Sequence, residues 1–179
     1  MPRLAVLASI LLLLTGVVVA GHAPTAAQDA SPVASPAPLP PLLADYGAAW
    51  SSGDPAQVAK LYADDALFEE VVLGGAITHS SADLTAYVGA LFAAFSDFAL
   101  TPTSGFVIAD HAVAEWVVTG RYTGTFGPLP AGTGQHVEFR GATVLVLANG
   151  TIQRDSEYWD LTTLLTQVGA MPGGGTPAA

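Results

Sequence analysis

Asp155 and Glu157 lie in the stretch Arg154-Asp155-Ser156-Glu157-Tyr158-Trp159-Asp160. Alternation along a strand puts Asp155, Glu157 and Trp159 on one face. A carboxyl group buried among apolar rings has a raised pKa, and a second carboxylate beside it can raise it further. A carboxyl tuned in this way can remove a proton next to a carbonyl and then protonate the developing alkoxide. Glu157 is the first catalytic candidate and Asp155 the second, because the sequence alone leaves open which of them faces a cavity. Asp160 stands where a helix N-cap would stand.

Further candidates lie elsewhere. In the run Ala112 to Thr123, alternation gives one face of Ala114, Trp116, Val118, Gly120 and Tyr122, and another of Val113, Glu115, Val117, Thr119 and Arg121. The first face suits an interior, so Trp116 and Tyr122, with Trp159, are candidates to line a pocket. Glu115 and Arg121 suit the outer face. Glu69 and Glu70 are adjacent on a strand, so only one can point inward; an inward, unpaired acid is costly and therefore functional where it occurs. Glu70 is taken as that candidate. His79 could orient a substrate oxygen, and His136 could stand at a pocket mouth. His111 follows Asp110 in a turn, and Asp64-Asp65 read as the turn after a helix. The four His residues show no HxH or HxxxH spacing and Cys is absent, so no metal site is expected. No GxSxG, Walker or GxGxxG pattern occurs.

The elements that must position these residues follow from periodicity. Leu42 to Trp50 has helical spacing, with Gly53 after it. Asp54-Pro55 opens a second helix whose apolar stripe is Val58, Leu61 and Tyr62. Ala66 to Leu73 reads as a strand, and Gly74-Gly75 turns it into a second, Ala76 to His79. Ser80 caps the strongest helix, on which Leu84, Tyr87, Val88, Leu91, Phe92 and Phe95 share a face. Strands are expected near Phe98 to Thr101, Phe106 to Ile108 and Ala112 to Thr123. Gln135 to Leu147 and Thr151 to Trp159 are joined by an Asn149-Gly150 hairpin turn. Gly124 to Gly134 is a loop able to cover a cavity mouth. A last helix carries Leu161, Leu164, Leu165 and Val168, and ends at Gly169. Helices first and strands later indicate an α+β domain, with helices on the concave side of a curved antiparallel sheet. Such a cone holds a small apolar ligand.

The ends read differently. Residues 1–20 carry Arg3, an uncharged apolar run from Leu4 through Val19 and a small residue at Ala20, the order of a signal peptide; an uncleaved N-terminal anchor is the alternative. Residues 21–41 are rich in Ala, Pro and Ser and read as a disordered linker, residues 42–169 as one domain, and residues 170–179 as a disordered tail. Hydrophobic residues make up 51% of the chain and charged residues 11%, and the formal net charge is −10. Apart from Arg3 the long cations are Lys60, Arg121, Arg140 and Arg154, which argues against nucleic acid as a partner.

Three segments carry a resemblance. Tyr62-Ala63-Asp64-Asp65-Ala66-Leu67-Phe68 is the first. Ala114-Glu115-Trp116 with Thr119-Gly120-Arg121-Tyr122-Thr123-Gly124 is the second, and Glu157-Tyr158-Trp159-Asp160 with Leu164-Leu165-Thr166-Gln167-Val168-Gly169 the third. Together they resemble the SnoaL-like polyketide cyclase, or ester cyclase, branch of the nuclear transport factor 2-like (NTF2-like) superfamily. The resemblance implies an α+β cone, homodimers through the open sheet face, no metal or organic cofactor, and a last-strand carboxylate acting in an intramolecular aldol closure. That carboxylate falls on Glu157, or on Asp155 with a two-residue shift. The ligand expected is a small hydrophobic or carbonyl-containing molecule. Two functions fit: a cofactor-free cyclase or isomerase, and a secreted, non-catalytic binding or dimerisation module.

Overall fold

A computed structural model describes residues 38–172; the segment expected to be a signal peptide, most of the expected linker and residues 173–179 lie outside the described residues. The described chain is built around one six-stranded sheet. Helix α1 spans Pro41–Trp50 and α2 Pro55–Ala59. Strand β1 (Tyr62–Glu70) runs through a single 3₁₀ turn, Val71–Leu73, into β2 (Gly75–Thr78). Then come α3 (Ser81–Ala94), β3 (Phe95–Ile108), β4 (His111–Tyr122), β5 (Gln135–Ala148), β6 (Thr151–Trp159) and α4 (Leu161–Gln167). The strand order is β2-β1-β6-β5-β4-β3.

Local chemistry accounts for most boundaries. The Asp54, Ser80 and Asp160 side chains accept from the backbone N–H groups of Ala56, Asp83 and Thr163, capping α2, α3 and α4. Asn149 and Gly150 both take positive φ, as a two-residue type I′ turn between β5 and β6 requires.

Four expectations are corrected. Leu61 and Tyr62 do not continue α2: the helix stops at Ala59, and Tyr62 begins β1 opposite Ile152 of β6. Asp64 and Asp65 accordingly lie in that strand and not in a turn. The two short strands expected at Phe98–Thr101 and Phe106–Ile108 are one, β3, whose register shifts between Ser96 and Ala99 and between Pro102 and Ser104. Such bulges bend a strand, and here they let one long strand follow a curved sheet. The sheet is also not wholly antiparallel. Strands β1 and β6, nearly at opposite ends of the domain's sequence, pair in parallel, with Phe68 opposite Asp155 and Glu70 opposite Glu157.

Helix α1 packs on β3, α3 on α2 and β1, and α4 on β5. Two glycines set how close these layers come. A Cβ at Gly47 would overlap the Pro102 ring on β3, so α1 needs glycine to lie against that strand. A Cβ at Gly141 would overlap the six-membered ring of Trp116, its cross-strand partner. Gly141→Ala is expected to cost about 1–3 kcal/mol, as overpacking does, and to shift tryptophan emission by displacing Trp116. An unchanged urea midpoint would contradict this packing.

Candidate functional site

The concave side of the sheet encloses a cavity of about 600 Å³. Its wall is overwhelmingly apolar, with Trp50, Phe68, Tyr87, Trp116, Phe126 and Trp159 among its rings. Residues Thr125 to Leu129, within the loop expected over the mouth, also line it. The Phe126 N–H donates to the Tyr122 hydroxyl at 3.2 Å, and the Gly134 N–H donates to the Tyr122 carbonyl at 2.7 Å, so this residue fastens the loop. Two acids stand in the wall, Glu70 and Glu157, side by side on paired strands.

Glu157 is 3% exposed, and Asp155 behind it is wholly buried and outside the cavity lining. Three hydroxyls hold Asp155. Thr143 donates to Oδ1 at 2.5 Å, Tyr62 to Oδ2 at 2.5 Å, and the Tyr46 hydroxyl lies 2.9 Å from Oδ2. The same Tyr46 hydroxyl lies 2.5 Å from Glu157 Oε1. A phenol carries one hydrogen and cannot donate to both carboxylates at full strength. Tyr46 keeps that hydrogen, because burial first, and then the charges of Asp155 and Glu157, push its pKa well above the usual value. The arrangement is therefore complete only when one carboxyl also carries a proton.

The hydroxyl donors and the neighbouring charges decide which one. Removal from water raises both pKa values. At Asp155 the hydroxyl donors Thr143, Tyr62 and Tyr46 oppose burial, and the group is pushed up to about 6. Glu157 is raised well above the ordinary range by burial, then by the charge on Asp155, then by Glu70. The shared proton is therefore held more firmly at Glu157 than at Asp155, with the Tyr46 hydroxyl between them. The pair then holds one proton and one negative charge.

Glu70 has its own partners. The Tyr87 hydroxyl donates to Oε1 at 2.7 Å, and the Trp159 indole N–H donates to Oε2. Burial raises its pKa and these two donors oppose the rise. Three polar atoms of cavity-lining residues are buried without a partner: Glu157 Oε2, Trp50 Nε1 and Trp116 Nε1. Orphaned groups of this kind are rare in folded proteins and ask for a ligand or a water.

The sequence candidates thus divide. Glu157, Glu70, Trp116 and Trp159 meet at the cavity, and Asp155 joins them from behind. Tyr122 does not line the cavity: it is wholly buried, its ring 4.8 Å from that of Phe95. His79 and His136 are exposed and outside the lining: His79 lies in the bend between β2 and α3, and His136 at a solvent-facing position of β5. His111 is exposed and pairs with Asp110. Tyr46, Tyr62, Thr143 and Tyr87 were not singled out. At helix or strand spacing a tyrosine reads as core, and the one available signal was a hydroxyl on an otherwise apolar face.

An α+β cone whose apolar cavity has carboxyl groups set in its wall defines a small-molecule-binding protein of the NTF2-like fold. The chain belongs to the SnoaL-like polyketide cyclase family, whose sequence model matches residues 42–168. Solved structures agree on the fold. AclR of Streptomyces galilaeus, a candidate hydroxylase, is 22% identical, with 75% of this chain and 83% of that one covered and a TM-score of 0.65. TsrD of Streptomyces laurentii is 22% identical over 73% and 93% of the two chains, with a TM-score of 0.64. A candidate polyketide cyclase from Silicibacter sp. TM1040 is 22% identical over 70% and 91%, also at 0.64. Among curated proteins none matches the sequence.

Proposed function

We propose that this chain is a cofactor-free acid/base catalyst of the cyclase or isomerase type, acting on a small, largely apolar carbonyl compound. The observation that carries the reading is the proton-sharing set Glu157–Tyr46–Asp155, with Glu157 in the wall of the apolar cavity. Glu157 protonates the substrate oxygen while its proton is on, and in its ionised form accepts a proton from the carbon next to the carbonyl. Tyr46 and Asp155 hold the charge that this exchange leaves behind. Catalysis through a group of this kind contributes a factor of about 10²–10⁴. The test is exchange of α-protons for deuterium in small cyclic and aromatic ketones, followed by NMR with wild-type protein. Exchange above the buffer rate supports the reading, and none across a broad ketone set would leave a binding module of the same fold.

The chain also reads as an exported protein, on its apolar N-terminal run, and as a homodimer. Phe106 and Ile108, cross-strand partners of Val113 and His111, share the outer sheet face with Tyr158, and all three are exposed. Sedimentation of the purified protein and N-terminal sequencing of the exported form check these two points; a monomer and an intact Met1 would remove them.

A further inference from the structure

The acid/base reading leaves Glu70 unused, although this carboxyl is 7% exposed and stands in the same cavity wall. Its two donors come from different elements, Tyr87 on α3 and Trp159 at the end of β6. Opposite an indole N–H, which can only donate, Oε2 must accept, and with Tyr87 donating to Oε1 both oxygens are supplied as an ionised carboxylate would need once a cation offsets the burial. Each oxygen has one protein donor, which leaves acceptor capacity on both.

Among the described residues no Lys, Arg or His lines the cavity, and Arg154, on the strand paired with β1, is spent on Glu69, 2.5 Å away and outside the cavity lining. A buried carboxylate with no cation beside it is costly, and a positively charged ligand removes that cost. The remaining surface around Glu70 suits such a ligand. The rings of Trp50, Phe68, Tyr87 and Phe126 follow one another at centroid distances of 5.7, 5.4 and 5.5 Å, and all four line the cavity. Ring faces attract an alkylated ammonium group, most strongly where water is excluded. An anionic ligand would instead meet two acids and no base.

We propose that the cavity selects a small hydrophobic amine, bound as its cation, with the ammonium group between Glu70 and the Trp50–Phe68–Tyr87–Phe126 rings. The inference rests on the cavity being a ligand site, and it does not require Glu157 to turn the ligand over. It deepens the proposed function by giving the substrate a cationic group beside its reacting centre, since Glu70 and Glu157 are neighbours on paired strands.

The test compares choline with its uncharged carbon isostere, 3,3-dimethylbutan-1-ol, by tryptophan fluorescence titration of the full chain. Wild-type protein is expected to bind choline at least tenfold more tightly than the alcohol. Glu70→Gln should remove that preference while leaving the affinity for the alcohol within about twofold, whereas Glu115→Gln, outside the cavity lining, should keep the preference. Equal or tighter binding of the alcohol by the wild type would overturn the proposal, whatever the variants do. Persistence of the choline preference in Glu70→Gln would overturn the role of Glu70. The deuterium-exchange assay is independent of both, so failure of acid/base chemistry and failure of cation selectivity are separately visible.

Discussion

Glu157→Gln is expected to lower turnover by about 10²–10⁴-fold, the range associated with loss of a positioned general acid or base. The amide is nearly isosteric and cannot pass a proton at neutral pH. Ligand affinity should change by no more than a few fold, because the cavity wall is otherwise apolar and intact. Tyr46→Phe provides the companion measurement. It keeps the ring in the core but removes the single hydroxyl that lies within hydrogen-bond reach of both acids. The two carboxyls then lose their shared donor, and the pH profile of turnover should move more than the affinity does. A Glu157→Gln protein with full turnover would sink the acid/base proposal and leave the cavity as a binding site alone.

The second large effect concerns stability and has a definite sign. Asp155 is pushed up to about 6 in the folded protein, with burial as the main cause, whereas an unfolded chain returns it to roughly 3.9. The folded state then binds a proton more tightly than the unfolded state does. That contribution is complete below about pH 4 and is lost as pH rises through 6, because the unfolded chain releases its proton first. At about 1.4 kcal/mol per pKa unit the loss is roughly 3 kcal/mol. Glu157 and Glu70 are also raised and act in the same direction. Urea unfolding followed from pH 4 to pH 8 should therefore show stability falling, and Asp155→Asn should flatten the part of the curve nearest pH 5. Stability that rises over this range would mean that the acids are not buried in the way described.

Local elements were legible because their signals are local. The caps at Asp54, Ser80 and Asp160, the Asn149-Gly150 turn and the whole of β6 stand where the sequence indicates, as do α3 and the loop over the cavity. What was misread depends on pairing at a distance. Tyr62 has helical spacing from Val58, yet β6 recruits it into β1. The parallel β1–β6 contact leaves no mark in either segment alone. The same distinction holds at the site. Glu157, Asp155, Glu70, Trp116 and Trp159 could be nominated because an acid or a tryptophan on a strand is conspicuous. His79 and His136 face solvent, which residue type does not disclose, and Tyr122 takes the inner face that alternation predicts but stands at the end of β4, outside the lining. Tyr46, Tyr62 and Thr143 are essential to the proton arrangement. Each is ordinary until the fold brings its hydroxyl to Asp155.

The parallel pairing of β1 with β6 also bears on how the protein comes into being. Tyr46 and Glu157 are 111 positions apart, and Tyr62 and Asp155 are 93 apart. Contacts of such separation must overcome a large loop-closure entropy before they contribute, which slows folding. No part of the carboxyl set exists in a nascent chain that lacks β6, and β1 stays an open sheet edge until that strand arrives. Closing the sheet and dehydrating the acids are one event, so refolding should be slower at pH 8, where three charges must be buried or neutralised, than at pH 5.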